Sequence, residues 1–295
     1  MNHRKQAPAA APQQGNRVWE TVKAHGRLYF VDAMSAMAQG LFASLLIGTM
    51  DIRGADIYER LHRGELPQTS LPSTENLGEI LKKIREDGYD GVIAVMLSSG
   101  LSGTYNLVRL AEEYADIPLC AFDSKSGSLG QGLTLLQLAQ DIQNGMGWTE
   151  LTQRRAPQLI AGSHPFFSVD TLEYLQKGGR IGKVTATAGM LLQIKPILTF
   201  EEDGQLTSAA KVRGRNQVID KLVDLAVKAC GNHQRYNLAV ANGGAPDGMA
   251  LVREKLTAAL PNYDHLWEGE IDGTLSVYIG DGVLGAAVQI LDDGM

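Results

Sequence analysis

The chain contains few cysteines and no recognisable metal-binding motif. Cys120 and Cys230 are its two cysteines in 295 residues, and neither lies in a CxxC pair. This usage excludes a disulfide framework and is compatible with a reducing compartment, so we expect a cytoplasmic location. The six histidines are scattered, without an HExxH motif or another paired ligand spacing. We therefore predict no structural or catalytic metal.

An excess of basic residues is also absent. The chain has 27 lysines and arginines against 33 aspartates and glutamates, which gives a net charge of −6 at pH 7. Proteins that bind nucleic acid need a basic surface to neutralise phosphates, so we expect no nucleic-acid partner. The length of 295 residues allows one large domain or two ordinary ones, and it does not limit the size of the core.

The first fifty residues differ in composition from the rest of the chain. Residues 1–27 are rich in alanine, glutamine and proline, which predicts a disordered tail. Residues 33–50 carry no charged side chain, but polar residues interrupt them and they fall short of the roughly 20 apolar residues that span a bilayer. We interpret this atypical apolar segment as a buried helix of the first domain. The alternative is a membrane anchor, which would make the protein membrane-associated through residues 33–50.

Residues 28–158 show the alternation of strands and helices that is typical of an α/β domain. Apolar runs at 91–97 and 118–123 predict buried parallel strands. The predicted helices around these strands are at 56–63, 74–84, 105–113 and 129–142, and Ser73 or Thr74 caps the second of them. This order favours a parallel sheet with helices on both faces, an α/β/α domain.

Residues 159–295 predict a second domain of a different kind. Its candidate strands are at 165–169, 196–200, 206–212, 237–241 and 273–279, with helices between them. The uneven spacing of these strands favours an α+β domain with a mixed sheet. Because open parallel sheets bind ligands beyond the carboxyl ends of their strands, we expect a ligand between the two domains.

A polar loop at residues 98–104 follows the apolar run at 91–97 and precedes a predicted helix. It contains Ser98, Ser99 and Ser102 among glycines. Hydroxyl groups, free backbone N–H groups and a helix dipole at this point favour a small anion, such as a carboxylate or a phosphate. The residues alone leave open which hydroxyl faces a ligand and which caps the helix.

Two motifs suggest other functions, and both are incomplete. Ser102 is a candidate hydrolase nucleophile, but the second glycine comes one residue too early for G-x-S-x-G and no histidine and aspartate follow in a recognisable arrangement. A serine hydrolase is therefore the less favoured alternative. Residues 280–285 fit G-x-G-x-x-G, but only ten residues follow them, too few to complete a dinucleotide-binding unit.

Five blocks of sequence, in order, resemble the DegV family. They are Gln68-Thr69-Ser70-Leu71-Pro72-Ser73, Ser98-Ser99-Gly100-Leu101-Ser102-Gly103-Thr104, Phe122-Asp123-Ser124-Lys125-Ser126, Tyr174-Leu175-Gln176-Lys177-Gly178-Gly179-Arg180-Ile181, and Gln193-Ile194-Lys195-Pro196-Ile197-Leu198 followed by Lys211-Val212-Arg213. The resemblance extends from about residue 51 to the C-terminus. It implies a two-domain α/β protein that encloses one fatty acid. Bacterial members present the carboxyl group of that fatty acid to a separate ATP-dependent kinase, which makes an acyl phosphate.

The resemblance thus implies the lipid-binding subunit of a bacterial fatty acid kinase rather than an enzyme. It implies a long-chain fatty acid as ligand, no cofactor and no catalytic residue on this chain, with ATP and Mg²⁺ on the kinase partner. The residues that would bind the carboxylate are Thr69, Ser70, Ser98, Ser99, Arg213 and Tyr278. The residues that would lie at the mouth of the site or face the partner are Gly178, Gly179 and Arg180. The alternative is a membrane-tethered or degenerate lipid-binding protein without a kinase partner.

The chain departs from the family pattern at both ends. Tyr278 stands where the family has histidine, and Asp281 stands where it has proline. A tyrosine donates one hydrogen bond but carries no positive charge, so the head-group chemistry differs from that of the family. Near the N-terminus, Asp32 is followed by Ala33 in place of a hydroxyl-bearing residue, and the stretch before residue 51 is short and unusually apolar.

Overall fold

The computed structural model describes residues 31–32, 54–184 and 194–292. The predicted disordered tail at residues 1–27 and the atypical apolar segment at residues 33–50 lie outside the described residues. No helix within residues 54–184 and 194–292 combines the length and the apolarity that crossing a membrane requires.

The first part of the described chain is a small parallel sheet with helices on both faces. Its strands are β1 (Val31–Asp32), β2 (Val92–Met96) and β3 (Leu119–Asp123), in the order β1–β2–β3. Its helices are α1 (Gly54–His62), α2 (Thr74–Glu86), α3 (Thr104–Ala111), α4 (Leu129–Gln143), α5 (Trp148–Glu150) and α6 (Ala156–Ala161), and a π-helical turn at Leu151–Arg155 joins the last two.

Strand β2 shows why helices cover both faces of this sheet. All five of its residues are buried, and successive side chains point to opposite faces. Val92 and Met96 pack with α2 and α3, whereas Ile93 and Val95 pack with α4. The prediction of an α/β domain with a parallel sheet is confirmed.

A mixed sheet of six strands forms the second part. Its strands are β4 (Ser163–Ser168), β5 (Ile194–Phe200), β6 (Leu206–Arg213), β7 (Tyr236–Gly243), β8 (Leu266–Glu270) and β9 (Val283–Ile290), in the order β6–β5–β4–β9–β7–β8. Strands β7 and β8 are parallel, and the other neighbouring pairs are antiparallel. Its helices are α7 (Glu173–Lys177), α8 (Arg215–Cys230), α9 (Pro246–Ala259) and α10 (Gly273–Ile279). The prediction of a mixed sheet is also confirmed.

The predicted strand at residues 273–279 is wrong, because this segment forms helix α10. Asp272 caps the helix: one carboxylate oxygen accepts hydrogen bonds from the backbone N–H groups of Thr274 and Leu275, at 2.6 and 3.2 Å. A short apolar run fits a buried strand as well as a buried helix, and the sequence pattern missed this cap. It also missed β8 and β9, which pair with the two sides of β7.

Helices divide the two faces of the six-stranded sheet between them. Helices α8 and α9 cover one face and form a large hydrophobic cluster with it. The other face meets α4, α7 and α10. The strands of the two sheets lie on either side of the predicted domain boundary at residue 159, but α1 does not follow this division. Its Ile57 and Leu61 pack against Val277 of α10, so α1 and the loop after it are held beside the second sheet.

Candidate functional site

A cavity of about 190 Å³ lies between the loops that follow β2 and β3 and the sheet face that α7 and α10 cover. Such a volume is more than ten times the 10–15 Å³, roughly, that one water molecule needs. Most of its wall is apolar, including Phe166, Phe167, Phe200, Leu206 and Val283. The cavity therefore suits a molecule with a large apolar part.

Hydroxyl groups gather at one end of this cavity. Thr69 lies in the loop after α1, between Pro67 and Pro72, and Tyr278 lies in the last turn of α10. The two hydroxyls form a short hydrogen bond with each other, although 209 positions separate them in the chain. Ser70 also lines the cavity. Three of the predicted site residues thus meet at one place.

Arg180 supplies a positive charge at the same end. Its guanidinium carbon lies 5.1 Å from the centroid of the Tyr278 ring, a distance typical of cation–π contacts. Its Nη1 donates to the carbonyl of Gly178 at 2.8 Å and its Nε donates to the carbonyl of Leu101 at 3.3 Å. The guanidinium is therefore held in place by protein groups and needs little rearrangement to meet an anion.

Gly178, directly after α7, gives the Tyr278 ring its space. A Cβ at Gly178 would lie 2.6 Å from Cε1 of Tyr278, closer than any real contact. Gly179 has a φ of +71°, which L-residues with a side chain rarely adopt. Gly178 and Arg180 therefore contact the Tyr278 ring together, and this arrangement aims the phenol at Thr69.

A second cavity, of about 330 Å³, lies on the outer side of this hydrogen-bonded pair. Thr69, Arg180 and Tyr278 line both cavities, and the outer one adds Gln68 and Lys177. The Thr69–Tyr278 pair therefore stands between an inner apolar space and an outer space lined by Arg180 and by Lys177, whose ammonium is paired with the Glu173 carboxylate at 2.5 Å. An amphipathic anion fits this arrangement, with its apolar part inside and its charge toward the outer cavity.

The structure places Ser98 and Ser99 elsewhere. Ser98 is fully buried, and its hydroxyl donates to the carbonyl of Gly204 at 2.6 Å. The hydroxyl of Ser99 donates to the carboxylate of Asp123, and its backbone N–H donates to the same carboxylate at 3.1 Å. Neither serine is among the described residues that line the inner cavity. Both hydroxyls fasten the loop after β2 to its neighbours.

Asp123 anchors that loop through its charge. Its carboxylate lies 2.8 Å from Nζ of Lys125 and accepts hydrogen bonds from Ser99. Burial raises the pKa of Asp123, but the hydrogen bonds from Lys125 and Ser99 outweigh burial and hold the pKa below its usual value. Asp123 is therefore ionised at neutral pH and serves as the acceptor for the loop.

Arg213 is also away from the inner cavity. It is the last residue of β6, its side chain is exposed, and its backbone N–H donates to Oε1 of Gln217 at 3.2 Å. In contrast, Ser102 lines the cavity, with its hydroxyl 2.9 Å from that of Thr104. Sequence reasoning weighed Ser102 as a hydrolase nucleophile and missed it as a residue of the cavity wall. The sequence signal that could have identified Ser102 was its place in the same polar loop as Ser98 and Ser99.

Ser128 and Thr274 are two further hydroxyl-bearing residues of the cavity wall that the sequence did not indicate. The inner wall, as described, contains no histidine and no carboxylate. Within residues 54–184 and 194–292, no three His, Cys, Asp or Glu side chains gather as they would around a metal ion. The expectation that the protein uses no metal and no cofactor stays a prediction.

Comparison with known proteins identifies the family. A model of the DegV family, a family described as uncharacterised, matches residues 46–290. This chain belongs to the DegV family. A DegV domain-containing protein of Clostridium acetobutylicum is 35% identical over 243 residues, which cover 82% of this chain and 85% of that protein. Protein DegV of Bacillus subtilis is 31% identical over 232 residues, which cover 77% of this chain and 81% of that protein.

Solved structures of fatty-acid-binding proteins share the fold. The fatty-acid-binding DegV family protein of Thermus thermophilus superposes with a TM-score of 0.76 at 26% identity, over 81% of this chain and 85% of that chain. The fatty acid binding protein DegV of Bacillus subtilis gives a TM-score of 0.71 at 28% identity, over 82% and 85% of the two chains. A stearic-acid-binding protein of Eubacterium ventriosum gives 0.71 at 25% identity, over 81% and 84%.

Proposed function

We propose that this DegV-family protein binds one long-chain fatty acid in the inner cavity and presents its carboxylate to a separate ATP-dependent fatty acid kinase. The kinase would transfer phosphate from ATP to the carboxylate and form an acyl phosphate. One observation carries the proposal: an apolar cavity ends in hydroxyl groups and a fixed arginine. The relatives that bind fatty acids support it. The place of action would be the cytoplasm, where ATP is available.

The tail of the fatty acid would supply most of the affinity. Burying a methylene is favourable by about 0.8 kcal/mol, so a tail of ~14 methylenes contributes roughly 11 kcal/mol before the costs of ordering and association. Phe166, Phe167 and Phe200 offer the apolar surface for this burial. The polar end of the cavity then has to fix the position of the head group rather than hold the whole ligand.

The carboxylate would meet Thr69 and Tyr278, whose hydroxyls now bond to each other. Each hydroxyl has one proton to donate, so a carboxylate between them accepts from both. Ser70 and Ser102 stand in the same wall, and Arg180 adds the charge. A carboxylate is already ionised at pH 7, so its attack on a phosphate needs positioning and charge stabilisation rather than a base on this chain.

Phosphate would approach from the outer cavity. Lys177 and Arg180 line it, and the turn at Gly178 and Gly179 lies at the same place. Phosphoryl transfer depends on charge neutralisation by metal ions and cations. On this proposal the kinase would bring ATP and Mg²⁺, and this chain would bring the cations of the outer cavity. On this proposal the chain is a binding and presenting subunit. It performs no reaction alone.

Native mass spectrometry of the purified protein, followed by extraction and identification of the bound lipid, tests the binding step. We expect one fatty acid per chain. Thr69→Val, which removes a hydroxyl at nearly constant volume, should weaken binding about tenfold, the value of one hydrogen bond to a charged group. Arg213→Ala is the matched control and should bind as the wild type does. An apo protein that also fails to take up added oleic or palmitic acid would refute the proposal.

The kinase step needs its own assay, with a bacterial fatty acid kinase, ATP, Mg²⁺ and the loaded protein. Acyl phosphate should form with both proteins present and with neither alone. A loaded protein that yields no acyl phosphate would support the other candidate, a lipid-binding protein without a kinase partner. Tyr278 and Asp281, the departures from the family pattern, make that outcome worth testing. Membrane tethering is tested separately, by sedimentation of the full chain with lipid vesicles.

A further inference from the structure

The floor of the inner cavity is a row of residues across three strands. Phe167 of β4 pairs with Gly285 of β9, and Gly285 pairs with Ala241 of β7. All three line the cavity. Because side chains two positions apart share a face of a sheet, the next row on the same face is Pro165, Ala287 and Ala239.

The direction of the cavity follows from β9. Tyr278 marks the polar end, and β9 begins five residues later, at Val283, directly after the turn that ends α10. Val283 and Gly285 line the cavity, whereas Ala287 does not. Each of these steps is about 6.7 Å along the strand. The cavity thus runs along β9, away from Tyr278. In the next row only Pro165 lines it, so over β9 and β7 the cavity ends before Ala287 and Ala239.

Helix α4 fills the space beyond that point. Leu129 stands over the floor, since a Cβ on Gly285 would lie 3.1 Å from Cδ1 of Leu129. Leu133, one helical turn further on, packs with Ala239, Ala287 and Trp267 in a closed cluster and is only 1% exposed. This cluster therefore occupies the position that a longer tail would need, with Leu133 as its member on α4.

We infer that Leu133 is the residue that limits the length of the ligand's tail. The inference rests on the proposed function, because it names the feature that selects among fatty acids at the same site. Replacing Leu133 by alanine leaves a space over Ala239 and Ala287 that is continuous with the floor at Gly285. Ligands with longer tails then gain burial that the wild type denies them. A larger side chain in the floor of the cavity has the opposite effect and favours ligands with shorter tails.

Competition among saturated fatty acids tests this. Wild type, Leu133→Ala and Ala241→Val are each incubated with an equimolar mixture of lauric, myristic, palmitic, stearic and arachidic acids, and bound species are counted by native mass spectrometry. Each additional buried methylene is worth about fourfold in affinity. Neighbouring acids in this mixture differ by two methylenes, so Leu133→Ala should raise the ratio of the next longer acid to the wild type's preferred one by about fifteenfold. Ala241→Val, which narrows the floor, should shift the preference to shorter acids.

Leu138→Ala is the matched control. Leu138 lies on the same helix and is fully buried, but it packs against Ile93 and Val95 of the parallel sheet. Leu138→Ala removes the same atoms as Leu133→Ala, and this variant should keep the wild-type preference for tail length. Equal distributions for Leu133→Ala and Leu138→Ala would overturn the inference and leave the proposed function standing. If Leu133→Ala does not fold, an unchanged distribution for Ala241→Val overturns it instead. A wild type that takes up none of the acids would overturn the proposed function.

Discussion

Replacing Gly178 by alanine has two opposed effects on stability: it restricts the unfolded chain, and it crowds the Tyr278 ring. The backbone at Gly178 has ordinary helical angles, with φ −78° and ψ −7°. Alanine fits such a backbone and stabilises a protein by about 0.4–1 kcal/mol, chiefly by restricting the unfolded chain. A Cβ at this position would also collide with the ring, 2.6 Å from Cε1. Overpacking of this kind costs about 1–3 kcal/mol.

The collision should win, because the ring has little room to move. Arg180 covers it, and the phenol is bonded to Thr69. We expect Gly178→Ala to lower the free energy of unfolding by about 1 kcal/mol or more, measured by urea denaturation. On the proposed function, fatty-acid affinity should fall about tenfold as well, because the displaced phenol would no longer donate to the carboxylate.

Two further variants make the result decisive. Gly78 lies on the exposed face of α2, where a Cβ would meet nothing within 4 Å, so Gly78→Ala should stabilise the protein by up to about 1 kcal/mol. Tyr278→Ala removes the ring, and in that background Gly178→Ala should become stabilising. If Gly178→Ala stabilises the wild type as Gly78→Ala does, the ring does not depend on the glycine and the reasoning fails.

Two other predictions concern stability. Arg155 Nε lies 2.6 Å from the Asp141 carboxylate, and both side chains are buried. Arg155→Ala should therefore lower the free energy of unfolding by about 3–5 kcal/mol, measured by urea denaturation. A decrease of less than ~1 kcal/mol would contradict this. Burial raises the pKa of Asp292, but hydrogen bonds from two backbone N–H groups and from His233 outweigh burial and lower the pKa overall. A lowered carboxylate pKa stabilises the fold above the unfolded-state pKa, about 3.9, and this contribution is lost as pH falls through the folded-state value. The destabilisation by Asp292→Asn, measured against the wild type, should therefore be largest near neutral pH and shrink below about pH 4; an equal difference at both pH values would contradict it.

Local signals in the sequence were enough to predict β2 and α2 of the first sheet. The fully apolar run of β2 predicts a strand buried on both faces, and Ser73 caps α2 by accepting from the backbone N–H of Asn76 at 3.2 Å. The stripe of Leu77, Leu81 and Ile84 is buried in α2. In each case the residues that decide the structure lie within a few positions of one another, so periodicity and capping rules suffice.

Local sequence could not show which hydroxyl of the loop at 98–104 faces the cavity. Ser98 turns away from the inner cavity because the carbonyl of Gly204, in the turn between β5 and β6, accepts its hydrogen bond. That partner lies 106 positions away in the chain. Ser102 is left to line the cavity. Nothing near these serines in the sequence distinguishes them, since the deciding contact forms only when the two sheets come together.

Neither cavity wall contains a histidine among the described residues. The head-group end of this chain offers hydroxyls and the permanent charge of Arg180. Fatty-acid affinity should therefore be nearly constant between about pH 6 and pH 8. Tyr278→His restores the residue type that the family pattern has at this position, and its imidazolium would add a positive charge beside the carboxylate as pH falls.

That variant should bind about tenfold more tightly near pH 6 than near pH 8, the strength of one hydrogen bond from a charged donor. Displacement of a fluorescent fatty acid at the two pH values measures this, with Tyr278→Phe as the control that removes the hydroxyl and adds no titrating group. A wild type or Tyr278→Phe protein whose affinity itself changes tenfold over this range would show that some other group titrates against the ligand. The positive charge at the head group would then not come from Arg180 alone.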